Sequence, residues 1–183
     1  MLRTFIALEI PEEPRRQICE YLKQWQAVST RGINWVKPEN LHLTLLFIGD
    51  TEPALVPRMI GKIERACELY DPFPLSISGC ELFPAVNPRL LWAKLVAENR
   101  SIYSMPAALN KELQVLGIEP EIKALKLHIT MARLKSQQPE WLEREFHQAN
   151  FDLDSFEYDT LTLYQSVLRP DGPVYTPLEQ FSL

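Results

Sequence analysis

Leu41-His42-Leu43-Thr44-Leu45 returns in the second half of the chain as Leu127-His128-Ile129-Thr130-Met131. In both copies apolar and polar residues alternate at the two-residue period of a β-strand. The His and Thr of each copy therefore project from one face, and the three apolar residues pack on the other. A helix-like segment follows each copy, from about Pro53 to Leu69 after the first and from about Pro139 to Gln148 after the second. A duplicated unit related by a pseudo-two-fold is the simplest explanation.

Working outward, Arg3 to Ile10 reads as a buried strand, and a helix follows to about Val28 with Ile18, Leu22 and Trp25 on one face. Glu12 and Glu13 suit the positive end of that helix. Asn34 to Lys37 is a short extended piece, and Leu41 to Ile48 is a strand closed by Gly49-Asp50. Leu75 to Phe83 and Arg89 to Val96 read as two strands joined by the turn-prone run Pro84 to Pro88. A third helix covers about Asn99 to Leu116 and stops at Gly117, and Leu125 to Leu134 is another strand. The tail supplies strands at Phe156 to Leu168 and Val174 to Leu183, with Pro170-Asp171-Gly172-Pro173 as the hairpin turn. This mixed order predicts an α+β fold with largely antiparallel sheets, in one domain spanning residues 1–183.

The 183 residues are 46% hydrophobic and 23% charged, the mix of a globular protein. No apolar run approaches the roughly 20 residues that span a bilayer, and the opening segment lacks a cleavage site, so no membrane contact and a cytoplasmic location are expected. Cys19, Cys67 and Cys80 are an odd set without metal spacing, read as reduced and unreactive. A net charge of −5 argues against gripping an extended duplex and favours an end, a nucleotide or a single phosphate.

Only three histidines exist, and two occupy the repeat. If the copies face each other, one cleft holds two imidazoles and two hydroxyls. One imidazole can take a proton from water while the other protonates a departing ribose oxygen, and the hydroxyls donate to phosphate oxygens. An unperturbed pKa near 6.5 suits both protonation states, and either His could be the base. A metal centre would want three or four clustered ligands, and none accompany either motif. Arg133 would face away from His128 on an ideal strand, unless a bulge turns it into the cleft to bind phosphate. Trp92 and Tyr164 are candidates to line the cleft, with core packing the commoner fate of a Trp. His147 is read as a solvated surface residue.

His42-Leu43-Thr44-Leu45 and His128-Ile129-Thr130-Met131 resemble the paired HxTx motifs of the two-histidine (2H) phosphoesterase superfamily. The match is closest to its LigT/ThpR branch, the RNA 2′,3′-cyclic phosphodiesterases once called 2′-5′ RNA ligases. The resemblance extends to Arg3-Thr4-Phe5-Ile6-Ala7-Leu8, to Phe47-Ile48-Gly49, to Arg133, and to the ending from Leu163-Tyr164-Gln165-Ser166 through Gly172-Pro173-Val174-Tyr175 to Leu178. It implies a bilobal fold of two pseudo-symmetric lobes with a central cleft, and no cofactor or metal. It implies hydrolysis of a terminal 2′,3′-cyclic phosphate to a 2′-phosphate, on RNA ends or nucleoside cyclic phosphates, by a monomer. Carried over, His42 is the proton donor and His128 the proton acceptor, with Thr44, Thr130 and Arg133 holding phosphate. The alternatives are a 2′-5′ oligonucleotide phosphodiesterase or ligase, and a catalytically silent module that binds nucleotides or RNA ends. One departure is Leu125-Lys126-Leu127 before the second His, where many relatives carry aromatic and proline residues.

Overall fold

The computed structural model describes residues 1–28, 31–148, 151–170 and 172–183. In chain order the elements are β1 (Leu2–Glu9), α1 (Glu12–Val28), β2 (Ile33–Trp35), β3 (His42–Thr51), α2 (Val56–Cys67), β4 (Phe73–Phe83), β5 (Leu90–Ala97), α3 (Met105–Gln114), β6 (His128–Leu134), α4 (Glu140–Gln148), β7 (Asp152–Tyr158), β8 (Thr160–Arg169) and β9 (Gly172–Ser182). The strands form two sheets, β3-β1-β8-β9 and β2-β6-β5-β4-β7, and every pairing is antiparallel. The fold is α+β, as expected.

One apolar cluster runs through both sheets and their helices. Helices α2 and α3 pack on each other and against the first sheet, where α3 meets β3 and α2 meets β9. On the second sheet's side, Trp25 of α1 lies 4.5 Å from Phe146 of α4, and Tyr21 stacks on Phe151 at 4.3 Å. Ile18 and Leu22 of α1 are buried, and Trp25 packs against the core beside them.

Several boundaries differ from those read in the sequence. Residues 53–55 and 101–104 form 3-10 turns before the α-helices begin. Pro57 and Pro106, which lack an N–H, stand in the first turns of α2 and α3, where no N–H partner is needed. The strand expected from Leu125 starts only at His128, because the chain leaves the β5 edge there. Its last tie is the Leu95 N–H donating to the Leu127 carbonyl at 3.0 Å. The continuous strand expected over Phe156 to Leu168 is two strands in different sheets, divided at Asp159. The apolar alternation slips phase here, since Phe156 and Tyr158 beside β4 lie on even positions and Leu161 and Leu163 beside β1 on odd ones, and the slip falls at the crossover. Of the expected hairpin turn, Asp171 lies outside the described residues, as does the side chain of His147.

Candidate active site

The two motif strands match residue for residue in burial. From the histidine onward both β3 and β6 run half-buried, buried, half-buried, buried, buried, exposed, buried. The doubled buried position marks a β-bulge in each. On β3, Thr44 pairs with Ala7 and Leu46 with Ile6, leaving Leu45 unpaired. On β6, Thr130 pairs with Trp92 and Ala132 with Leu91, leaving Met131 unpaired. An extra residue reverses the alternation beyond it. Leu41, Leu43 and Leu45 are core residues, and His42 with Thr44 shares the opposite face. The bulge then brings Phe47 and Arg133, each five residues past its histidine, back to the histidine face. This is the bulge that Arg133 required.

Pairing extends the correspondence outward. β1 stands to β3 as β5 stands to β6, with Glu9 opposite His42 and Lys94 opposite His128. The side chains, however, differ in kind: Phe47 answers Arg133, Ala7 answers Trp92, and Glu9 answers Lys94. The backbone repeat is symmetric and its chemistry is not.

Each imidazole is fixed in the same way. His42 Nδ1 donates to the Asn40 carbonyl at 2.7 Å, and His128 Nδ1 donates to the Lys126 carbonyl at 2.8 Å. A carbonyl only accepts, so both rings carry hydrogen on Nδ1 and present the Nε2 lone pair when neutral. His42 Nε2 accepts from the Thr44 hydroxyl at 2.9 Å. His128 Nε2 makes no hydrogen bond among the described residues, so its lone pair is open to a ligand.

The surroundings push both imidazoles toward the neutral form. Burial lowers the His42 pKa to about 4, its bond to Asn40 opposes this, and the charges of His128 and Arg133 lower it further. That coupling joins residues of the two sheets in one site. Burial also lowers His128, against its bond to the Lys126 carbonyl, and the Lys126 ammonium adds to the lowering.

Aromatic rings support the histidines from beneath. Phe5 lies 5.2 Å from His42 and stacks on Tyr164 at 5.2 Å, while Tyr175 meets the His42 ring edge-on at 5.3 Å. Burial raises the Tyr175 hydroxyl and the nearby Arg133 and Arg3 oppose the rise, which places the Arg133 guanidinium at the β9 side of the cleft. Tyr164 lies near the cleft as expected, 6.4 Å from His42, and donates to Glu9 at 3.2 Å. Trp92 is only 7% exposed, with Phe83 stacked 4.3 Å away and His128 4.2 Å away. It packs directly against the His128 ring and, with His128, lines an open cavity beside it.

Tyr175, Phe5 and Asn40 are site residues that the sequence reading missed. The Asn40 side chain donates to the Pro173 carbonyl at 3.0 Å, tying the β8–β9 hairpin to the residue that holds His42. The shared i−2 carbonyl is a backbone contact, and no residue type announces it. Among the described residues no group of three or more His, Cys, Asp or Glu could hold a metal ion, and no helix is long and apolar enough to cross a membrane.

Two bulged strands that each carry His, Thr and a +5 side chain on one face are the pattern of a two-histidine phosphoesterase. The family described as "LigT like Phosphoesterase" matches residues 8–92 and 95–175, and the chain belongs to it. It is 34% identical over its full length to a Thermus thermophilus protein named RNA 2′,3′-cyclic phosphodiesterase, covering 90% of that protein. A protein of the same name from Archaeoglobus fulgidus is 30% identical, with 98% of this chain and 99% of that one covered. A crystal structure of a Thermus thermophilus protein superposes with a TM-score of 0.81 at 31% identity, covering 100% of this chain and 98% of the other.

Proposed function

We propose that this phosphoesterase opens the terminal 2′,3′-cyclic phosphate of RNA, or of a nucleoside, to a 2′-phosphomonoester by acid/base catalysis without a metal. The observation that carries it is the matched pair of imidazoles. Both are locked through Nδ1 by an i−2 carbonyl, which leaves Nε2 for chemistry, and the charges of His128 and Arg133 both reach His42. The names of the relatives at 30% and 34% identity supply the substrate class.

His128, with its unoccupied Nε2 lone pair, takes a proton from water as the water oxygen attacks phosphorus. The P–O3′ bond breaks, and His42 delivers a proton to the departing 3′ oxygen. The negative phosphate must first charge His42, whose low pKa describes the cleft without an anion. A phosphodiester at Nε2 supplies the opposite charge that burial withholds, and the imidazolium forms as substrate binds. Thr44, Thr130 and Arg133 donate to the nonbridging oxygens, with the guanidinium giving the strongest bonds. Tyr164 and Tyr175 border the leaving side, and Phe47 offers a ring there. The reading places the activity in one bilobal domain, acting as a cytoplasmic monomer on RNA ends rather than duplexes.

The test is hydrolysis of cytidine 2′,3′-cyclic phosphate, and of a short RNA ending in one, in EDTA. Wild type forms the 2′-phosphate, and His42→Ala and His128→Ala each slow it by ~10² or more. A folded wild type that turns over neither substrate overturns the proposal.

A further inference from the structure

An open cavity of about 410 Å³ borders His128. Its walls are Phe83, Leu95, Tyr103, Leu125 and Leu127, with Lys94, Lys126 and Glu81 at the polar positions. Mostly apolar and aromatic walls with a few placed charges are the usual make-up of a small-molecule site. The charges need explaining. The chain carries a net −5, yet two lysines and one glutamate converge here.

The three charges are arranged so that one cation stays available. Glu81 accepts from Trp92 Nε1 at 3.3 Å and lies 3.6 Å from Lys94 Nζ, a half-exposed pair of little energy. Lys126 has no carboxylate partner among the described residues, and its ammonium lies over the Phe83 ring at 4.2 Å. Tyr103 is 47% exposed and offers a second ring to the same cavity. A flat heterocycle fits the ring and the leucines, and an anion fits the lysines. That combination is a nucleotide.

In the mechanism proposed above the reacting phosphate lies between the two histidines and Arg133, so an anion at Lys94 and Lys126 is a second one. A ligand with a second phosphate is required, continuous with the first because His128 borders both spaces. We propose that this cavity is a second nucleotide subsite, which seats the neighbouring residue of an RNA strand with its base against Tyr103 and its phosphate at Lys94 and Lys126. The subsite rests on the RNA-end reading above and deepens it, since it makes an oligonucleotide end the preferred substrate over a lone nucleoside cyclic phosphate.

The experiment compares kcat/KM for a short RNA ending in a 2′,3′-cyclic phosphate with that for cytidine 2′,3′-cyclic phosphate. Wild type is expected to favour the RNA by about tenfold or more. Lys94→Ala and Tyr103→Ala are each expected to lower the RNA value about fivefold and leave the mononucleotide value unchanged, and added salt to erode the preference. Equal losses on both substrates, or no loss on either, overturn the subsite. Should wild type hydrolyse neither, the functional reading fails while the subsite is still decided by binding. Fluorescence anisotropy of a labelled dinucleotide 2′-phosphate must then weaken in Lys94→Ala and Tyr103→Ala but not in a control such as Lys123→Ala, and unchanged affinity rejects the proposal.

Discussion

Arg133 acts on two things at once, the phosphate it is proposed to bind and the proton affinity of His42. Its charge is one of the causes that hold His42 near 4, after burial and the charge of His128. Arg133→Met keeps a long side chain and removes the charge. The His42 pKa then rises, because a nearby cation disfavours the imidazolium, and NMR titration of the ring reads it directly. At the same time KM for cytidine 2′,3′-cyclic phosphate rises and kcat/KM falls by about ten- to a hundredfold, the loss of a hydrogen bond from a charged donor. A His42 pKa that stays put in Arg133→Met contradicts the cross-cleft placement of the guanidinium. Asn40 shows the other face of residue-scale control, since its backbone sets the His42 tautomer while its amide holds Pro173.

At the scale of elements, β1, β8 and β9 are stitched together by one carboxylate. Glu9 Oε1 accepts from Thr162 at 2.6 Å, Gln180 at 2.6 Å and Tyr164 at 3.2 Å. Burial would raise this carboxyl, but the three donors and Arg15 outweigh it and leave its pKa lowered. Glu9→Ala strands the Thr162 hydroxyl, which is fully buried, and costs about 1–3 kcal/mol in urea unfolding. Glu9→Gln keeps an acceptor and costs less, and equal losses would mean that charge rather than satisfaction holds the network. Elements also show what the sequence disclosed. The motif strands, α1 and the antiparallel α+β class follow from period and composition, so they were legible. The sheet switch at Asp159 was only faintly legible: the one-residue phase slip between Tyr158 and Leu161 marks a break, but a slip of that size equally fits a bulge within one strand. The bulges were half legible: spacing showed that Arg133 needed one, and only the β5–β6 register places it at Met131. Tyr175 escaped notice because a ring on a hairpin looks the same whether it faces solvent or a histidine.

Across the whole molecule, the cleft places neutral imidazoles where the unfolded chain would have ordinary ones. His42 titrates near 4 when folded and near 6.5 when unfolded, so between those values the unfolded chain binds more protons. A group whose folded pKa is depressed in this way makes stability rise with pH through the window. The folded state therefore weakens as pH falls from about 6.5 to 4, by up to about 3 kcal/mol from this residue. His128, lowered in the same direction, adds to the slope. Glu9 behaves alike for a different reason, since its lowered carboxyl stabilises the fold only above its unfolded pKa and loses that contribution in more acidic solution. His42→Asn, which cannot titrate, isolates one contribution. Urea titrations at pH 7, 6, 5 and 4 should show wild type losing stability faster than His42→Asn between pH 6.5 and 4, and the two curves running parallel above it. A bound phosphodiester reverses the sense, because it recruits the proton that the empty cleft refuses, so its stabilising effect on wild type grows as pH falls through the same window. Parallel curves at every pH would show that His42 is solvated like an ordinary histidine, and would remove the physical basis for substrate-driven charging of the general acid.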